Sequence, residues 1–442
     1  MSFFESWFGG KEKEWIQPEI RFGRYSDSYK KTESYDAWDK ALDVFEEGKF
    51  LDSLELFFAF LRDDTEDNVC WEKTGQSISF EIFQGSKRLI GWANPERIRI
   101  EGRVARIIET SPELLRRLVE QNYSLKFSRY ALDPNQHITV VFDTIAAEAS
   151  PFKLYYAFKE VAIQADKQDD LLLEEFGQME AVDNSHLQAL PAGEKKIKHH
   201  FILDKIRAIL EEVKDKRLAE YPSGVAYLLL DLVYKIDYLI KPEGHTMECL
   251  ERMHRQFFST EKAYSPRQKN EILIEELKRL LARREQAFSR EMYQIKTTFG
   301  ITSSITHDRL IDLIDGELHD MDWYIENDFP KIAAAIPSYM IGYSLFNFAL
   351  PQPDRDFFHL FYRVSEAIYF KDLGFKPDYC DCASQAPNRK IIKQAINQIV
   401  KKHRSRYPNL RPAVSKLSFD NMILFSKSYL LMVRDLDLTR ID

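Results

Sequence analysis

The sequence predicts an α+β N-terminal region (helix then βββ-α-ββ-α, with an antiparallel sheet) followed by an all-α C-terminal region. Three observations carry that expectation. Period-two alternation of apolar residues is confined to residues 76–142, and from 199 onward 3.6-residue stripes are the only repeated signal. The charge changes at the same place: 1–198 hold 26 Lys and Arg against 36 Asp and Glu, whereas 199–442 hold 36 against 34. The overall charge of −8 thus divides into a −10 half and a +2 half. With 442 residues, 44% apolar and 13% aromatic, the chain has the material for several cores, which excludes low-complexity and collagen-like classes. No uncharged apolar run of about 18 residues is present, so no transmembrane helix is expected. The opening Ser2, Phe3, Phe4 and Glu5 lack the positive start of a secretory signal. Four Cys in this length fit a reducing compartment, and a cytoplasmic location is expected.

The expected organisation is an aromatic or extended segment (1–34), a helical hairpin (35–66), an α+β domain (67–176), a linker (177–198) and a helical domain (199–442). In the hairpin, Trp38, Ala41, Leu42 and Phe45 make one apolar face. Gly48 permits the turn, and Leu51, Leu54, Phe57, Phe58 and Leu61 form the facing stripe. The string Gly48-Lys49-Phe50-Leu51-Asp52-Ser53-Leu54, followed by Phe57, resembles one tetratricopeptide unit, with Ser53 where a small residue is required. No second copy follows at the 34-residue period, and a plain hairpin packed on the next domain explains the pattern as well.

Strands are expected over 77–83, 87–92 and 97–106, with connections too short for crossovers, hence antiparallel. Ser111-Pro112 starts a helix, because Ser caps free N–H groups and Pro suits the first helical position. Two strands, 123–132 and 137–142, flank an Asp133-Pro134-Asn135 turn, and Ser150-Pro151 opens a helix to about 176. That helix runs into Asp166, Asp169, Asp170, Glu174, Glu175, Glu180 and Asp183, expected as a solvated acidic face.

Residues 77–176 resemble the YbjN family, itself similar in fold to the class I type III secretion chaperones. Four features carry the resemblance: the strand triplet with a charged last strand, and a helix over 114–122 ending in Gln121-Asn122-Tyr123. The others are Phe127-Ser128-Arg129-Tyr130-Ala131-Leu132-Asp133 leading to a second strand, and Ser150-Pro151 opening a long helix with Ala165-Asp166. The resemblance implies a small protein-binding α+β domain, often dimeric, without chemistry of its own. It covers about 100 of 442 residues, and the long C-terminal extension departs from such short chaperones.

In the second half, helices are expected over 201–216, 224–240, 247–258, 266–292, 307–327, 354–370, 389–403 and 419–436. Breaks are expected at Pro222, Pro242, Pro337, Pro351-Gln352-Pro353 and Pro377.

No G-x-S-x-G, H-E-x-x-H or glycine-rich phosphate loop occurs, so no catalytic residue and no cofactor are named, and a non-enzymatic protein is favoured. Glu251-x-x-His254 and Asp356-x-x-His359 have the spacing of bundle metal ligands. Spacing alone assigns no metal to them. Cys380-Asp381-Cys382 lacks the second pair that a zinc site needs.

Residues 383–419 carry a net +9 and contain Arg389, Lys390, Lys393, Lys401, Lys402, Arg404 and Arg406 around an apolar face of Ile391, Ile392, Ala395, Ile396, Ile399 and Val400. Three partners compete for it: this chain's own acidic half, an anionic protein or membrane surface, and nucleic acid. Nucleic acid ranks lowest, because the chain is acidic and only Tyr407 and Phe419 are aromatic nearby. Phe3, Phe4, Trp7 and Phe8 form an aromatic cluster suited to a groove of this chain or of a partner. Together these features favour an adaptor that binds a segment of a partner protein, with homodimerisation left open. The alternative is an enzyme or metal-binding protein with its site in the helical half.

Overall fold

The computed structural model describes residues 16–260, 264–380 and 386–440. Helices α1 (Thr32–Glu46) and α2 (Phe50–Leu61) form the expected hairpin. Gly48 turns the chain at φ 77°, a conformation that side chains with a Cβ avoid. Ser53 is buried where the helices meet, and its hydroxyl donates to the Ala41 carbonyl at 2.7 Å. A small side chain thus allows close approach while its polar atom stays satisfied.

Four strands precede the next helix, one more than the alternation predicts: β1 (Val69–Thr74), β2 (Ser77–Gln84), β3 (Lys87–Ala93) and β4 (Arg97–Ile107). β1 escapes the pattern because only Val69 and Trp71 on its inward face are apolar before Lys73 ends the series. Helix α3 (Pro112–Ser124) extends over residues expected as strand, then β5 (Arg129–Leu132), β6 (His137–Ile145) and α4 (Pro151–Glu175) follow. The Ser111 and Ser150 hydroxyls accept from the Leu114 and Lys153 N–H groups, as the capping pattern predicts.

The sheet is antiparallel with order β1-β2-β3-β4-β6-β5. One row of partners, Val69, Ile82, Leu89, Gly102, Val140 and Tyr130, crosses its helix-covered face and is buried throughout. Helix α4 lies on this row. A Cβ on Gly102 would come within 2.8 Å of the Ala165 Cβ, so glycine is what allows the helix this close.

Residues 177–198, expected as a linker, are held by both halves. β7 (Met179–Ala181) pairs with the end of β4, β8 (Gln188–Ala189) pairs with a strand of the helical half, and α5 (Ala192–Glu212) has already begun. The helical half continues with α6 (Pro222–Ile240), α7 (Gly244–Phe258), α8 (Pro266–Leu281), α9 (Glu285–Arg290), β9 (Tyr293–Gln294) and β10 (Ser303–Ser304). Then come α10 (His307–Glu326), α11 (Pro330–Asn347), β11 (Phe348–Ala349), α12 (Gln352–Ser365), α13 (Ala367–Asp372), α14 (Arg389–His403) and α15 (Met422–Arg434).

Helix α11 corrects the expected break at Pro337. It packs along α6 at the centre of the half and is buried around almost its whole circumference. A helix apolar on all sides shows no stripe, so periodicity missed it, and tertiary packing tolerates the N–H that Pro337 lacks. The expected helices over 266–292 and 354–370 are each divided in two.

Candidate functional site

Two cores are present, one under the sheet and one among the helices, and each receives a side chain from the other half. Phe22, in the extended segment ahead of α1, enters the helical core against Phe370 and His359, with ring centroids 5.1 and 5.3 Å away. Phe299, in the loop after β9, enters the sheet core against Tyr155 at 5.7 Å. The halves are therefore interlocked, and their junction is where residues distant in sequence converge.

Polar groups secure the Phe299 loop. Gln84 accepts from the Phe299 and Thr298 N–H groups at 2.9 and 3.2 Å, and the Gly85 N–H donates to the Lys296 carbonyl at 2.9 Å. Thr298 Oγ1 donates to the Phe83 carbonyl at 2.8 Å and accepts from the Asn68 amide at 3.0 Å. The Gln84, Thr298 and Asn68 bonds are buried, so each replaces a hydrogen bond that water would otherwise supply.

On the other side of the junction stands Arg24, buried to 12% side-chain exposure. Its guanidinium donates to Asp237 at 2.7 and 3.0 Å and to Glu251 at 3.0 Å, and lies 3.9 Å from the centre of the Phe346 ring. From α4, Lys167 reaches Glu248 and Glu251, both at 3.0 Å. In these pairs the cations come from the acidic half and the carboxylates from the other. Net charge thus points the wrong way, because a buried pair is decided by the groups that touch.

Between Arg24, α4, the β2–β3 turn, the end of α6, the start of α7 and the Phe299 loop lies a cavity of about 300 Å³. A wider cleft of about 660 Å³ adjoins it, and Lys241 and Ile295 line both. Asp166, Asp237, Glu243 and Glu251 line the cavity, and Asp170 lies within electrostatic reach of Glu243. Asp166 accepts from the Ser86 N–H at 2.6 Å, and burial, then the Asp169 charge, push it up to about 7. Asp170 is pushed up to about 7 by burial and by Asp169 and Asp166, and its carboxylate lies against Gly244 at the start of α7. Glu243 is raised by burial and then by Asp166. Asp169 itself is neutralised by Lys87, a fully buried ammonium 2.9 Å away that also donates to the Val104 carbonyl at 3.1 Å. Burial lowers Lys241, which sits at φ 51° where α6 ends.

This centre was not visible in the sequence as a site. The acidic run from Asp166 was expected to be a solvated face, yet Asp169 is 2% exposed. A signal was present: Ala162, Ala165, Asp169 and Leu172 continue one helix face, so that Asp169 falls on a buried stripe.

The sequence-predicted metal candidates separate into different networks. Glu251 receives Arg24, Lys167 and Arg255. His254, one turn on, meets the Tyr234 hydroxyl at 2.8 Å, and burial lowers it to about 4. His359 meets the Tyr238 hydroxyl at 3.0 Å and is lowered by burial to about 3, while Asp356 bonds Lys402 and His403 at 2.6 and 2.7 Å. Among the described residues no three His, Cys, Asp or Glu are grouped as a metal set. Cys249 is a poor nucleophile, since burial pushes its thiol up to about 12 beside Glu276.

The basic segment does not dock on the acidic half in the expected manner. α14 packs on α12 through Ile392, Ala395 and Ile396, Lys402 pairs with Asp356, and Arg389 lies over the Phe419 ring. Its apolar stripe found the nearest apolar helix, and Lys390, Lys393, Arg404 and Arg411 are left toward solvent or partly so. Phe3, Phe4, Trp7, Phe8 and Cys382 lie outside the described residues.

A second surface feature stands where α1 meets the start of α4. Phe152 and Tyr156 are 54% and 57% exposed, Tyr35 is 46% exposed, and Trp38 lies among them with its ring 5.0 Å from that of Phe152. No helix is long and apolar enough to cross a membrane among the described residues. No protein-family model matches the chain, and no curated protein matches it in sequence.

Proposed function

We propose that this chain is a non-enzymatic adaptor that binds a segment of a partner protein. The observation that carries the reading is the aromatic surface of Tyr35, Trp38, Phe152 and Tyr156. Large aromatic side chains kept in water cost free energy, and clusters of them are the usual anchors of protein interfaces. The surface joins the hairpin to the domain that resembles the YbjN family, whose members bind proteins and often dimerise. Both properties belong to this reading. So does a cytoplasmic setting, in keeping with four Cys in 442 residues. The charge on α14 would orient a partner rather than hold it.

Affinity capture from native cells, read by quantitative mass spectrometry, tests the reading. The wild-type chain should retain a defined protein that the Phe152→Ser, Tyr156→Ser double variant loses, with circular dichroism unchanged. Identical recovery by the two chains would remove the aromatic surface from the mechanism.

A further inference from the structure

We propose that the junction cavity binds a small organic cation, an aliphatic amine or guanidine. Its charged head would meet Glu243 and Asp166, and its methylene stem would lie along Ile163, Met247 and Ile301.

The first ground is Glu243. Its side chain lines the cavity and the residue is 5% exposed, yet its carboxylate has no hydrogen-bond or ion-pair partner among the described residues. It caps no helix N–H, although it stands at the N-cap of α7. Buried carboxylates are otherwise paired, because an unpaired one loses its hydration and receives nothing in return.

The second ground is the local balance of charge. Asp166, Asp169, Asp170 and Glu243 face one another, with Lys87 and Lys241 as the cations among them. Lys87 is committed to Asp169 at 2.9 Å. Lys241 is within electrostatic reach of Glu243 but forms no ion pair with it. Arg24 and Lys167 are committed to Asp237, Glu248 and Glu251. Carboxylate in this cluster therefore exceeds its cations, and a bound ammonium or guanidinium would redress it with directional N–H donors. Burial first, and then the neighbouring carboxylates, raise Asp166 and Asp170, so both take up protons more readily than exposed carboxylates do.

The third ground is shape. About 300 Å³ is at the small end of ligand sites, and the walls away from the carboxylates are apolar. That combination suits a charged head on a hydrocarbon stem. A bare metal ion suits it poorly, since the described carboxylates do not converge as a ligand set. The adjoining cleft gives a path from solvent past Lys241.

Isothermal titration calorimetry of the full chain at low ionic strength tests the proposal, with putrescine, cadaverine, agmatine and n-butylamine as probes and magnesium chloride as the comparison. Saturable binding of at least one amine or guanidine, one per chain, is expected, weakened about tenfold or more in Glu243→Gln, which loses one charge-assisted hydrogen bond. Lys241→Met, which removes the competing ammonium, should bind the same probe as tightly or more tightly. It keeps the test open should Glu243→Gln not fold. The proposal is overturned by no saturable binding of any of the four, by binding of magnesium alone, or by affinity unchanged in Glu243→Gln or lost in Lys241→Met.

Discussion

Arg24 and Asp237 are 213 positions apart, yet the guanidinium of one grips the carboxylate of the other through two nitrogens, at 2.7 and 3.0 Å. Asp237 lies on α6, the most buried helix of the second half, and Arg24 lies on an extended segment with no regular structure of its own to hold it there. The pair, with Phe22 two residues earlier and the Gly23 N–H on the Tyr238 carbonyl, ties residues 22–24 to the helical core.

Removing Arg24 leaves Asp237 buried without its bidentate partner. Arg24→Ala should lower the unfolding free energy in urea by about 3–5 kcal/mol. Arg24→Lys should recover only part, because an ammonium cannot satisfy Asp237 and Glu251 with the same planar fork. Raised salt should change the wild-type midpoint little, since a buried pair is weakly screened. A strong salt dependence of the docking of the halves would show that exposed charges hold them instead.

Phe299 carries the interlock in the other direction. Phe299→Ala should cost about 3–5 kcal/mol by opening a cavity beneath Tyr155. Limited proteolysis should then cut first in the loop after β9. Protection equal to wild type would mean that the Gln84 and Asn68 hydrogen bonds suffice to hold the loop.

The acid cluster makes stability depend on pH. Asp166 is raised from its ordinary 3.8 to about 7, so between those values the folded chain keeps a proton that the unfolded chain releases. Stability from this group is therefore full at low pH and falls as pH rises through about 7. Asp169, Asp170 and Ser86 face it from α4 and the β2–β3 turn, with Lys87 on β3 and Glu243 across the cavity. Asp166→Asn keeps an acceptor for the Ser86 N–H and removes the charge. Its urea midpoint should decline less than that of wild type between about pH 5 and 8, and an equal decline would assign the titration to the neighbouring carboxyls.

On α14 the apolar face, not the charge, should hold the helix. Ile396→Ala should cost about 2–5 kcal/mol, as a fully buried side chain is truncated. Lys393→Glu, on a partly exposed position, should stay within about 0.5 kcal/mol of wild type in thermal melting. The reverse order of effects would restore the charged face as the docking element.

Much of the fold was legible because each element advertises its own buried face. The hairpin turn at Gly48, the caps at Ser111 and Ser150, and the period-two strands β2–β4 are local patterns, and the structure contains them all. The failures have local causes too. β1 has too few apolar residues to alternate, and α11 has too many to show a stripe. Of the junction centre only Asp169 left a trace, by falling on the buried face of α4.

The sequence by itself determined the order and kind of most elements, the division into a sheet-bearing and a helical half, and the excess of acid in the first. Only the tertiary structure decided which charges meet. Asp166 and Glu243 come from different halves, as do Arg24 and Asp237, and no local period relates them. Periodicity reports which face of an element turns from water. The partner that face meets is set by the path of the chain, through side chains such as Phe22 and Phe299 that each half places in the other's core.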